Sequence, residues 1–362
     1  MATSRDVARM ARVSQATVWA VLSGKKYVSE DLRKRVLAAV AELDYQTDEL
    51  ARGLKTRQSG TVGVVIPTLT SPTWNLVLVG VEETLAGNGL TMILSHANED
   101  YQLERHVLGV LRRRRVDGLL VAPAGPQSRL ALESLVRAGI PVVMNTRYLP
   151  ELAVDAVIAD ERGGSRAVVS HLLGLGRRRI GMIGVPEWSP SGAARLAGYR
   201  DALSLHGVPL RKELEMQGRS SEEEGFALAA QLLSLTHPPD AIFASTHVMT
   251  MGVLRYLKQR GIRVPDDIAL ASFNDLPWSQ HIDPPLTTVQ LPQREIGATA
   301  AQLLVQRLKG DGPSEPRLVV LPTTLVVRRS CGAPEAGERT KRVEPGPVSQ
   351  PDTTSSIRNL GG

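Results

Sequence analysis

At 362 residues, with 42% apolar and 22% charged positions, the chain exceeds one ordinary core and is composed like a globular protein of two or three domains. No run approaches the roughly 18 apolar residues of a membrane helix, the N-terminal MATSRDVARMARVS lacks an apolar secretory segment, and the single cysteine, Cys331, permits neither an internal disulfide nor a thiolate metal cluster. A cytoplasmic protein without membrane contact is expected. Net charge is +6, and residues 1–60 hold eleven Lys and Arg against seven Asp and Glu, so an excess of +4 lies in the first sixth of the chain. That is the distribution phosphate binding needs.

The first elements form a compact pattern between Arg5 and Gly24, RDVARMARVSQATVWAVLSG. Val7, Ala8 and Ala11 mark one inward face, and Val18, Val21 and Leu22 another. Arg12-Val13-Ser14 between them allows only a sharp turn, so a helix-turn-helix is predicted, whose second helix can enter a DNA major groove. Thr3, three residues before Asp6, starts the first helix in a capping-box pattern. Ser29 is placed to cap a third helix, with Glu30 and Asp31 in its first turn and Leu32, Val36, Val40 and Leu43 on one face. Residues 46–60 are polar and carry Gly53 and Gly60; DELARGLK within them spans about two helical turns, too short to be stable alone.

From Thr61 strand-length apolar runs alternate with helical patterns: TVGVVIP, LTMILSH, DGLLVAP and IPVVMNT, with helices near 76–88, 102–115 and 128–138. The rhythm restarts at RIGMIGV, AIFAST and IALASF. Two α/β lobes with parallel sheets follow, with a small-molecule cleft between them at the C-terminal strand ends. Arg112–Arg115 reads as the solvated last turn of a helix, where cations suit the dipole, and Arg177–Arg179 before a strand is similar. The segment 331–362 is rich in Gly, Pro, Ser, Thr and charge, which predicts a disordered tail, and it has no leucine heptad. No G-x-S-x-G, P-loop or G-x-G-x-x-G motif is present and the seven histidines are scattered, so no catalytic residue, metal or cofactor is expected.

DVARMARVSQATVWAVLSG, VSEDLRKRVLAAVAELDY, ARGL, RVDGLLVAP, GIPVV, RLAGYRDAL, PDAIFA, RVPDDIALASFND and PPLTTV follow one another in order. Together, over about residues 3–330, they resemble the lactose/galactose-repressor (LacI/GalR) family of bacterial transcription regulators. The resemblance implies an all-α helix-turn-helix head (1–45), a hinge helix and linker (46–60), and an effector-binding α/β core (61–330) like the type I periplasmic sugar-binding proteins. Lobe 1 would hold about 61–160 and 291–321, and lobe 2 about 161–290 and 322–330, with crossings near Asp160, Leu291 and Pro322.

By the same resemblance, Ser14, Thr17 and Ser23 would donate hydrogen bonds to phosphates, Thr3 and Ser29 join them among the DNA-binding residues, Gln15 and Ala16 face base edges, and Arg52 and Leu54 belong to a minor-groove hinge. Trp19 and Ala20 stand where the family usually has Ser and Arg. An altered operator or weaker discrimination is expected at the base that Arg would read, and Trp19 either fills space against its own core or touches sugar or a base methyl. The implied effector, a sugar or related polar metabolite, would meet Trp74 as a stacking aromatic, Arg195 as a gripping arginine, Arg147 on the opposing wall, and Asn274, Thr246 and Ser220 at positions that depart from the family's Asp, Asn and aromatic. A homodimer on a near-palindromic double-stranded operator is expected, with induction and corepression both open. Two other readings stay open: a DNA-binding regulator without effector response, and a sugar-binding protein without regulatory DNA binding.

Overall fold

The computed structural model describes residues 2–23, 27–45, 58–334 and 339–343. The chain divides into two compact units, 1–60 and 61–362.

In the first unit, α1 (Ser4–Ala11) begins at a full capping box. Thr3 Oγ1 accepts from the Asp6 amide at 3.4 Å, and the Asp6 carboxylate accepts from the Thr3 amide at 2.9 Å. It ends where Arg12 turns left-handed, φ 53°, and α2 (Gln15–Ser23) follows directly. Ser14 Oγ accepts from the Thr17 amide at 3.1 Å and so satisfies an orphan donor at the start of α2. α3 (Glu30–Glu42) closes the core of Val7, Ala8, Ala11, Val18, Val21, Val36 and Ala39. Arg35 on α3 donates to the carbonyls of Ala11 and Arg12 and pins the turn between the first two helices.

The second unit holds two sheets. The first runs β11-β5-β4-β3-β1-β2, all parallel: Leu318–Leu321, Asp155–Ala159, Val142–Asn145, Gly118–Val121, Thr61–Ile66 and Thr91–His96. The second runs β13-β12-β10-β9-β8-β6-β7: Arg339–Val343, Thr323–Val327, Thr287–Gln290, Ala269–Phe273, Ala241–Ala244, Ile180–Gly184 and Glu215–Gln217. β12 runs antiparallel to both of its neighbours, β10 and β13. Helices α4 (Pro72–Ala86), α5 (Tyr101–Arg113), α6 (Ser128–Arg137) and α11 (Gln293–Lys309) accompany the first sheet; α7 (Glu161–Gly174), α8 (Pro190–Leu205), α9 (Glu222–Leu233) and α10 (His247–Gln259) accompany the second. The chain leaves the first sheet after β5 at Asp160, returns through α11, which packs on α4, and crosses again between β11 and β12. Buried Asp155 ties β5 to α11 and β11, accepting from Arg307 at 2.9 Å and from the Arg317 amide at 2.7 Å. Burial would raise its pKa, but these hydrogen bonds outweigh it and hold the carboxyl below its ordinary value.

The disordered tail expected from residue 331 is corrected in part. Cys331 is fully buried, 3.3 Å from His171 Nε2, and β13 pairs with β12 along its whole length. A free strand edge offers unpaired amides and carbonyls to any extended segment that reaches it, whatever that segment's polarity. Among the described residues no helix is long and apolar enough to cross a membrane.

Candidate functional site

The first turn of α2 presents a polar, exposed start. Ser14, Gln15, Ala16 and Trp19 are exposed, with Ser14 Oγ 2.9 Å from Thr17 Oγ1. Residues 15, 16 and 19 share one face at helical spacing. Trp19 is 46% exposed, so it does not fill space in its own core. Ala20 is only 7% exposed and faces inward with Val21. Its single methyl reaches no further than the helix packing, whereas a long arginine could carry a charge out. Thr3 is engaged with Asp6, its hydroxyl 2.6 Å from the carboxylate. Ser29 occupies the N-cap position of α3 but makes no side-chain capping bond, so that expectation fails. Ser23 ends α2. Arg52 and Leu54 lie outside the described residues.

The second candidate site lies in the core, at the C-terminal strand ends. Asn145 ends β4, Ser245 and Thr246 follow β8, Asn274 follows β9, and Glu161 opens α7 just after β5. Asn274 adopts a left-handed conformation, φ 72°, and its Nδ2 lies 3.5 Å from Thr73 Oγ1 in α4. The two lobes therefore face each other through these ends. Asn274 also lies 3.4 Å from His247 Nδ1.

Arg195, projecting from α8, is the centre of the cluster. Its guanidinium donates to the Ser245 carbonyl at 2.6 Å and to Glu161 Oε1 at 2.9 Å, and stacks 4.3 Å from the Phe273 ring centroid. The Arg195 and Glu161 side chains are only 7% and 8% exposed. Glu161 Oε2, Arg195 Nε, Ser245 Oγ, Asn274 Oδ1 and, in lobe 1, Asn145 Nδ2 are buried without a hydrogen-bond partner among the described residues. Such atoms are costly unless something satisfies them.

The other anticipated residues are placed differently. Trp74 packs into the apolar core beside Val77 and is 6% exposed. Arg147 is held two-pronged by Glu99, 2.8 Å for each oxygen. Thr246 caps α10, accepting from the Met249 amide at 3.2 Å. Ser220 is exposed ahead of α9 and shares no hydrogen bond with the cluster among the described residues. Sequence reasoning missed Glu161, Ser245 and Phe273, whose roles depend on partners far along the chain. It also missed Glu104, whose carboxyl accepts from the Ala124 amide at 2.6 Å and is pushed up by burial against the Ser128 and Ala124 hydrogen bonds.

Burial, reinforced by the Arg195 charge, pushes the His247 imidazole from its ordinary 6.5 down to about 4. Between these values the unfolded chain holds a proton that the fold does not, so stability falls as the pH drops from 6.5 and levels off below about 4. The difference amounts to roughly 3 kcal/mol. Urea unfolding of wild type and His247→Gln across this range should give a difference curve of that sign; a flat difference curve would show that the ring is not buried neutral.

Residues 3–48 match the model for bacterial regulatory proteins of the lacI family, and residues 169–331 that for a periplasmic binding protein-like domain. The ribose operon repressor of Haemophilus influenzae is 30% identical over 330 residues, covering 91% of this chain and 98% of its own. The HTH-type transcriptional repressor CytR of Escherichia coli K12 is 33% identical over 313 residues, covering 86% and 91%. Among solved structures, the Lac repressor dimer bound to operator and the anti-inducer ONPF superimposes with a TM-score of 0.82 at 27% identity, over 92% of this chain and 99% of that one. The CelR–cellobiose complex gives 0.70 at 31% identity, over 91% and 100%. With the head and the two facing lobes described above, these likenesses show that the chain belongs to the LacI family of bacterial regulatory proteins and is a helix-turn-helix transcriptional repressor, not an enzyme.

Proposed function

We propose that this repressor binds a near-palindromic operator as a homodimer and that a small, uncharged, polyhydroxylated effector, a sugar, controls its grip. Such a protein works on chromosomal DNA in the cytoplasm. The Glu161–Arg195 pair carries the effector reading. The cluster's guanidinium already has a carboxylate beside it, while Glu161 Oε2, Arg195 Nε, Ser245 Oγ and Asn274 Oδ1 remain as two strong acceptors, one donor and one hydroxyl. That set suits hydroxyl groups, which donate and accept at once. It opposes a second anion, which would meet the carboxylate of Glu161. The similar CelR structure holds cellobiose, and the similar Lac repressor structure is a dimer bound to operator.

The division into head, linker and lobes at residues 45, 60 and 330, with crossings near Asp160, Leu291 and Pro322, belongs to the same reading. In the head, Ser14 and Thr17 fix the register on phosphates while Gln15, Ala16 and Trp19 meet the groove. Arg52 and Leu54 would act in the minor groove. Leu76 and Val79 on α4 and Leu94 on the edge strand β2 are exposed apolar side chains, which supports a dimer contact through lobe 1.

Calorimetry with cellobiose and D-ribose, set against D-ribose 5-phosphate and D-gluconate, tests the effector reading. A neutral sugar should bind and shift operator affinity by about 5- to 150-fold, the usual coupling range. Tighter binding of a sugar phosphate or sugar acid than of any neutral sugar would contradict it.

A further inference from the structure

Four consecutive arginines, Arg112–Arg115, close α5 and lead into β3, and all four side chains are exposed. None of the four guanidinium groups makes a hydrogen bond or ion pair with a described residue. The other arginine run behaves differently. Arg177 donates to the Asp240 and Pro265 carbonyls, Arg178 to the Leu173 carbonyl, and Arg179 to the His237 carbonyl. That run is bound into its lobe, and Arg112–Arg115 is not.

The helix dipole accounts for part of the charge. Arg112 and Arg113 lie in the last turn of α5, where a cation is favoured. Arg115 lies beyond the helix at φ 56°, in the left-handed region. In six other turns that follow core helices, glycine takes the left-handed position: Gly89, Gly139, Gly176, Gly207, Gly261 and Gly310. An arginine keeps a charge at this turn against backbone preference.

The position explains what the charge could meet. β3 pairs with β1, Val62 opposite Gly118, and the Asp117 amide donates to the Thr61 carbonyl at 2.8 Å. β1 is the strand through which the chain arrives from the DNA-reading head, across residues 46–60 only. The same chain that binds a duplex through its head therefore carries these four arginines, joined to the head through β1 and residues 46–60.

We infer that Arg112–Arg115 is a contact surface for the phosphate backbone of double-stranded DNA, giving the core lobe a sequence-independent share in binding. It is distinct from the base-reading face of α2 and from the effector cluster.

The test is fluorescence anisotropy of the full chain on a random-sequence duplex, with KCl varied from about 50 to about 200 mM. Two variants are compared with wild type: Arg115→Gly alone, and Arg115→Gly with Arg112→Gln, Arg113→Gln and Arg114→Gln. Each lost phosphate contact should flatten the slope of log affinity against log salt by about 0.9. The quadruple variant should therefore lose roughly 2–4 of slope and bind more than about tenfold more weakly at low salt. Arg115→Gly should lose about one contact's worth while melting no lower than wild type, because glycine suits the turn. A slope unchanged in the quadruple variant overturns the proposal. If that variant does not fold, Arg115→Gly decides alone: a flattened slope supports the contact, and an unchanged slope with a raised melting temperature shows a turn residue only.

Discussion

Glu161→Ala should lower the unfolding free energy of the core by about 3–5 kcal/mol, the usual result of stranding one member of a buried ion pair. The pair is 2.9 Å long and nearly solvent-free, and the Arg195 guanidinium is fixed on its other side by the Ser245 carbonyl and beneath by Phe273. It cannot swing to water without breaking both. Removing the carboxylate therefore leaves a cation in apolar surroundings with only neutral partners. A double variant, Glu161→Leu with Arg195→Met, should recover most of the loss, because apolar replacement removes both desolvation penalties together. It should still lose the effector response, since two of the four unpartnered buried atoms proposed to meet the effector are gone. Urea unfolding of the three variants measures this. A loss below about 1 kcal/mol for Glu161→Ala would show that the pair is wet and exposed in solution.

The second large effect separates two glycines that sequence alone cannot tell apart. Gly297 lies in α11 where that helix crosses α4, and a Cβ there would collide with the Val77 carbonyl oxygen. Gly80 meets the Arg294 carbonyl in the same way from the other helix. Backbone oxygens buried in a helix pair have little room to move, so Gly297→Ala should cost about 3 kcal/mol, at or beyond the upper range for overpacking. Gly174, at the exposed end of α7, has nothing within 4 Å of a built Cβ. Gly174→Ala should instead stabilise by about 0.5–1 kcal/mol through helix propensity. The same chemical change is thus expected to act with opposite signs. Equal effects at both sites would mean that the α4–α11 crossing is looser than described.

Much of the architecture was legible because it repeats locally. The faces Val7-Ala8-Ala11 and Val18-Val21 appear at helical spacing in the sequence and meet in the head's core. The alternation from TVGVVIP onward gives the two sheets, since strand and helix leave different apolar periods. What was hidden depends on distant partners. Glu161 meets Arg195 from 34 positions away, and nothing near either residue announces the pair. Arg112–Arg115 and Arg177–Arg179 look alike as strings; only the fold brings Asp240 to the second. β13 was missed because an edge strand is chosen by the edge it finds, and RTKRV has no apolar alternation of its own. Trp19 and Ala20 differ by one step of about 100° around α2, which exposes the first and buries the second.

The most direct test of an effector-controlled repressor is fluorescence anisotropy of the purified protein on the DNA upstream of its own coding sequence, at about 0.15 M salt, with and without a panel of neutral sugars. Tight, competitor-resistant binding is expected, shifted by at least about fivefold by one neutral sugar, with the shift lost in the Glu161→Leu, Arg195→Met variant. Specific binding that a neutral sugar shifts equally in wild type and in this variant would contradict the placement of the effector at the Glu161–Arg195 cluster.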